Sequence, residues 1–322
     1  MSVVIAADRY DTIRRTVRHL RAQTLRDRLE LVIVTESAAS LAPDATELEG
    51  FAGVQVVEVD TIIPLALALA AGIRRARAPI VAFAESHAYP EARWAETLID
   101  AHRAHWAGVA PVIGNANPAT ATSWANLFLD FGACVEPTAT GSVDYLPGHN
   151  SSYKREILME YDGQLEAMME AEVLLHWALR ERGHQLCLEP TIKTLHLNVT
   201  RLGSWLPERF YTGRRFAGTR AAGWSALRRL VYAGGAPLIP FVRLPRVLRE
   251  IRASTRAREL LPAVLPALAI GLVVSALGEL VGYALGPGDA TARLARMELH
   301  KVRHVTERDR RGLDALLTAA PD

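Results

Sequence analysis

LPGHNSSYKREIL at residues 146–158, MMEAEVLLHWALRERGHQLCLEP at 168–190 and TLH at 194–196 are the runs on which the fold turns. A Gly148-His149-Asn150 turn leads into one helix. A second helix carries Glu170 and Glu172 at its start and is expected to stop at Gly183, because glycine is the residue that most readily ends a helix. Glu172 precedes Gly183 by eleven residues. A short strand follows, and the lone His196 alternates there with apolar neighbours.

Upstream of this stretch, strand and helix patterns alternate. Residues 2–6 form a β-branched run of the kind that makes a buried strand. Asp8 and Asp11 are placed to cap a basic helix over 12–23. A second apolar strand, 29–34, stops at Thr35-Glu36-Ser37. A third runs over 54–59, a helix over 64–75, and a fourth strand over 79–84. Such alternation predicts an α/β domain with a parallel sheet, in which ligands gather at the carboxyl ends of the strands. The polar residues at those ends are Asp8, Glu36 and the Glu85-Ser86-His87 turn.

Taken in order, these motifs resemble family 2 glycosyltransferases of the GT-A fold, over roughly residues 1–200. The resemblance implies a nucleotide-diphospho-sugar transferase fold, α/β, with a mostly parallel sheet flanked by helices. In that family a Gly-x-Asn turn shapes the donor-sugar pocket, which assigns His149 and Asn150 to the sugar. An acidic pair opens the next helix; Glu172 then stands as the catalytic base and Glu170 as the competing carboxylate on the acceptor side. Asp8, Glu36 and Glu85 fall where the family contacts the nucleotide. Its Asp-x-Asp motif after the fourth strand is replaced here by Glu85-Ser86-His87, with Tyr89-Pro90 and Trp94 following at the usual distance. A divalent metal, Mn2+ or Mg2+, would then be held by His87 and His196 with help from Glu85. Imidazoles favour manganese, since magnesium prefers oxygen ligands.

Each assignment has a plainer counterpart. Asp8 also suits a helix cap, and Glu172 suits any helix first turn, where the dipole favours acids. A strand histidine such as His196 is commonly structural. The altered Glu-Ser-His turn keeps a second function open, a non-catalytic relative that binds a nucleotide sugar or acts as a scaffold at the membrane. A nucleotidyltransferase fits less well, because a glycine-rich basic loop is missing after the first strand.

Composition bounds the class. The chain has 322 residues, half of them hydrophobic, and a net charge of +2, which excludes a disordered chain or one that coats nucleic acid. Arginines could bind nucleic acid non-specifically, yet no recognition motif accompanies them. Cys134 and Cys187 give no disulfide framework and no zinc pattern. No signal peptide is expected before a strand that starts at Ser2.

After residue 200 the character changes. Residues 201–258 interleave arginine with aromatics, and ERFYTGRRFAGTR contains Arg214 and Arg215, suited to a diphosphate or a lipid phosphate. The Gln-x-x-Arg-Trp motif of processive relatives is absent. The same segment also reads as an amphipathic helix facing anionic lipids. Residues 259–286 are apolar and long enough to cross a bilayer. Basic residues on both flanks fit poorly with a single crossing, and Pro262, Pro266 and three glycines would permit a bent, re-entrant hairpin. Residues 287–322 form a basic tail. The expectation is a C-terminal helical extension that attaches a cytoplasmic-face catalytic domain to the membrane. Its partners would be a nucleotide-diphosphate sugar donor and a hydroxyl acceptor, lipid-linked acceptors included.

Overall fold

The structure, a computed structural model, describes residues 1–135, 141–148, 150–170, 172–253 and 255–318. The chain divides into two compact units, residues 1–114 with 136–196, and residues 115–135 with those from 197 onward.

The first unit is built on one mixed sheet. Its strands are β1 (Ser2–Ala6), β2 (Glu30–Thr35), β3 (Gly53–Glu58), β4 (Ile80–Ala84), β5 (Ala88–Pro90), β6 (Gly108–Asn115), β7 (Gly141–Val143), β8 (Ser152–Lys154) and β9 (Leu186–His196). They lie in the order β3-β2-β1-β4-β8-β6-β9-β5, with β7 also on β9. β3, β2, β1 and β4 pair in parallel, whereas β8 meets β4 and β6 antiparallel, and β9 meets β5 and β7 antiparallel. The continuous apolar runs of β1 and β2 follow from their central place, where both faces are covered.

The helix Tyr10–Arg21 lays Tyr10, Ile13, Val17 and Leu20 on the sheet, the spacing of one helical face. Each such buried side chain contributes about 2 kcal/mol. The helix Leu65–Arg75 sits so close to β1 that a Cβ on Gly72 would lie 2.2 Å from Val4 Cγ1. Only glycine fits there.

One local expectation is corrected. Neither Asp8 nor Asp11 is the N-cap of the first helix: it starts at Tyr10, its N-cap is Arg9, whose side chain makes no capping hydrogen bond, and Asp11 lies inside the first turn. The turn is closed instead by the Thr12 hydroxyl, which donates to the Arg9 carbonyl at 2.7 Å. Helical residues run over Leu165–Glu170 and Glu172–Glu181 on either side of residue 171, which lies outside the described residues. Arg74 braces the first of these runs, reaching Asp162 and Glu166 at 2.6 Å each.

The second unit is helical: Ala121–Phe131, Leu202–Arg220, Ala226–Gly235, Ile239–Ala253, Thr255–Leu285, Ala290–Leu299 and Glu307–Thr318. A buried amide net joins its two entry points, with Asn117 Nδ2 donating to the Asn198 carbonyl and the Asn198 amide donating to Asn117 Oδ1, both at 2.9 Å. The apolar segment is one unbroken helix, not a re-entrant hairpin. Val264, Leu268, Leu272, Ala276, Glu279 and Tyr283 form a continuous buried face along it, and that packing carries the helix past Pro262 and Pro266. Within the described residues one stretch, Arg258–Leu285, is long and apolar enough to cross a membrane, and a third of its most apolar window is buried.

A charged core lies beside this face. Arg209 reaches Asp130 at 2.7 Å, Glu208 lies 3.6 Å from Lys301, and Lys301 contacts Glu298 at 2.9 Å. Burial pushes the Glu208 carboxyl up to about 7, with Lys301 and Arg209 pulling it back.

Candidate active site

Two strand registers assemble the site in the first unit. β5 runs antiparallel to β9 with Ala88 opposite His196, so His87, just before β5, meets the last residue of β9. The two imidazoles stand edge to face with centroids 4.9 Å apart. β4 runs antiparallel to β8 with Ala82 opposite Ser152, and the Phe83 amide donates to the Ser151 carbonyl at 3.0 Å. This register brings Asn150 to the end of β4, where its Nδ2 donates to Glu85 Oε2 at 2.9 Å.

Glu85 is therefore the centre of the cluster. The same Oε2 lies 3.6 Å from His87 Nε2 and 3.7 Å from His196 Nε2. One donor atom from each of Glu85, His87 and His196 falls within 4.8 Å of the others. Ligand bonds of about 2.1 Å at tetrahedral to trigonal angles separate neighbouring donor atoms by roughly 3.4–3.7 Å, so these side chains fit around one divalent cation with little movement. His87 and His196 are buried, which restricts their rotamers. Two imidazoles and one carboxylate suit a transition-metal dication better than magnesium, which prefers oxygen ligands. Thr16 was not singled out from the sequence, yet its hydroxyl donates to the Glu85 carbonyl at 2.7 Å and holds the turn from beneath. No pattern marks it, since it occupies an inward position of an ordinary amphipathic helix.

Glu172 lies over the Gly148 turn. A Cβ on Gly148 would stand 3.3 Å from the Glu172 carboxylate, so glycine keeps the approach to that carboxylate open. The turn itself is closed by the Ser151 hydroxyl donating to the Pro147 carbonyl at 2.5 Å. One turn further along the helix, His176 Nε2 is 2.8 Å from the Tyr153 hydroxyl. Burial pushes His176 down to about 4, keeping it neutral, and burial with the nearby Glu172 charge raises the Tyr153 hydroxyl far above its usual range. Spacing in the sequence did not reveal this pair, because β8 and the 172–181 helix meet only in the fold.

The remaining candidates are spread out. Asp8 is partly buried just past β1. Glu36, after β2, is exposed and accepts from the Thr61 hydroxyl at 3.0 Å and the Ile62 amide at 3.1 Å, bracing that loop. His149 lies outside the described residues. Arg214 belongs to the second unit and donates to the Gly286 carbonyl at 3.2 Å, just past the C-terminal end of the long helix. Arg215 is partly buried on the same helix as Arg214.

The sheet, with acidic and imidazole groups at the carboxyl end of β4, is that of a GT-A transferase. Residues 2–162, half of the chain, match glycosyl transferase family 2. The chain belongs to that family, as the motif order implied. Among solved structures it is similar to the mannosyltransferase PcManGT from Pyrobaculum calidifontis in complex with GDP-Man and Mn2+, at 17% identity, covering 87% of this chain and 86% of that one, with a TM-score of 0.51. It is also similar to S. aureus TarS 1-349 in complex with UDP, at 16% identity, covering 87% and 90%, with a TM-score of 0.45. At 17% identity the likeness to PcManGT concerns the fold alone. No curated protein matches the chain by sequence.

Proposed function

We propose that this protein transfers a sugar from a nucleotide-diphosphate donor to a hydroxyl acceptor at the cytoplasmic face of a membrane, with inversion and with a divalent metal. The observation that carries the reading is the Asn150–Glu85 bond, which ties the Gly-x-Asn turn to the cluster of Glu85, His87 and His196. Asp8 and Glu36 would orient the nucleoside, and His149 and Asn150 the sugar. The acceptor oxygen attacks the anomeric carbon, the bond from that carbon to the diphosphate breaks, and the acceptor proton passes to Glu172. Glu170, Arg214 and Arg215 are kept as acceptor-side candidates, and a lipid-linked acceptor would suit the arginines. Glu85, His87 and His196 would hold the cation, whose chemistry is to neutralise charge on the departing diphosphate.

PcManGT is described with GDP-Man and Mn2+, which makes that donor and that ion the first to try. Calorimetric titration with UDP-, GDP- and dTDP-sugars, with and without Mn2+, tests the reading. Metal-dependent binding of one donor is expected, and it should be lost in His87→Ala. Glu172→Gln should keep binding while transfer falls by about 10²–10⁴. Donor binding without transfer in either protein would instead favour the binding-module reading, which the Glu85-Ser86-His87 departure from Asp-x-Asp supports. No binding under any metal condition sinks both.

A further inference from the structure

A surface helix ordinarily turns its apolar side inward. The helical run from Ala226 to Ala253 does the reverse over its first half. Leu227, Leu230 and Val231 on the helix Ala226–Gly235, Leu238 in the following turn, and Phe241 and Val242 on the helix Ile239–Ala253 recur at helical spacing, and they are 63–76% exposed. The buried positions of this run are small at first, Ala233 and Ala236, and become large only at Val247 and Ile251.

The exposed charge beside this stripe is mainly arginine, with the partly buried Glu250 set among Arg243, Arg246 and Arg249 at its far end. From Arg209 to Arg249 the chain has nine arginines and neither an acidic residue nor a lysine. Arg220, Arg228, Arg246 and Arg249 are exposed. Two of them are held by aromatic rings: the Arg228 guanidinium lies 3.9 Å from the Trp224 ring centre, and Arg220 lies 5.3 Å from that of Tyr232 while donating to the Tyr283 hydroxyl at 3.2 Å. Apolar side chains, a cationic rim and amphipathic rings together match a helix lying at the headgroup level of an anionic bilayer. A second protein copy would bring the same arginines against themselves, which the charge disfavours.

We propose that the stripe Leu227–Val242 inserts in the plane of an anionic lipid surface, with the arginines on lipid phosphates, and that this contact attaches the protein to the membrane. The long helix Thr255–Leu285 then serves as a core helix of its unit: one face is buried along its length, and Glu279 on that face contacts Arg243 at 3.3 Å. The proposal rests on the membrane part of the function proposed above and is independent of its transfer chemistry.

The test is flotation of the full chain with vesicles of phosphatidylcholine alone or mixed with phosphatidylglycerol, at low and high salt, beside a donor titration. The wild type should float with anionic vesicles, at least about tenfold more strongly than with neutral ones, and less so in salt. The double variant Leu230→Asp/Phe241→Asp should lose flotation while its melting temperature and donor titration stay unchanged. A variant that floats like the wild type overturns the proposal and leaves the long helix as the anchor. Equal binding to neutral vesicles overturns it as well. A wild type that ignores vesicles but forms a dimer, which the variant dissociates, assigns the stripe to a second copy. The donor titration reads the same in all these cases, so failure here is separate from failure of the transferase reading.

Discussion

Glu85 illustrates how one residue is set by several distant ones. Its carboxylate takes a hydrogen bond from Asn150, faces two imidazoles, and hangs from a turn that Thr16 holds through the backbone. Partners behind a metal ligand commonly change affinity by 10–100-fold when removed. Asn150→Ala should therefore weaken Mn2+ binding by at least about tenfold, measured calorimetrically on the isolated ion, with little change in melting temperature. Unchanged Mn2+ affinity would remove Asn150 from that role. The sequence showed Glu85, His87, Asn150 and His196 as candidates by motif. It did not show Thr16 or the Tyr153–His176 pair, because inward positions of regular elements look alike whether they face a core or brace a site.

Close helix packing rules at the scale of elements. The helices Leu202–Arg220 and Thr255–Leu285 meet backbone to backbone: a Cβ on Gly278 would lie 2.0 Å from the Phe210 carbonyl, and one on Gly213 would lie 2.1 Å from the Ser275 carbonyl. Gly278→Ala must push the pair apart and should cost about 1–3 kcal/mol. Gly234 stands in open space within the helix Ala226–Gly235, so Gly234→Ala should stabilise by up to about 1 kcal/mol. Thermal denaturation of the two variants checks the opposite signs. From the sequence, Gly271, Gly278 and Gly282 suggested bends in a hairpin. They are instead contact points in a continuous helix, a distinction that depends on which neighbour the helix has.

For the molecule as a whole, the buried charges of the helical unit predict a pH response. Folded Glu208 holds its proton up to about 7, against 4.5 for an ordinary carboxyl group. Between those values the folded state binds more protons than the unfolded chain. The contribution of Glu208 is thus full below about pH 4.5 and is lost as pH rises through 7. Glu208→Gln should flatten the fall of melting temperature over that window relative to the wild type; parallel profiles would refute the assignment. By itself the sequence determined the alternation of strands and helices and the α/β class, which are local and follow from hydrophobic period, from turn-forming residues and from spacing along the chain. The transferase family and the motif residues at the strand ends were legible through resemblance to a known family. Only the tertiary structure decided that β5 and β9 pair so as to bring His87 to His196, and that the long apolar segment is a helix with one face buried. It also left the Leu227–Val242 stripe facing outward. These outcomes depend on register and on which surface covers which, and pairings between residues far apart in the chain leave no periodic trace in its sequence.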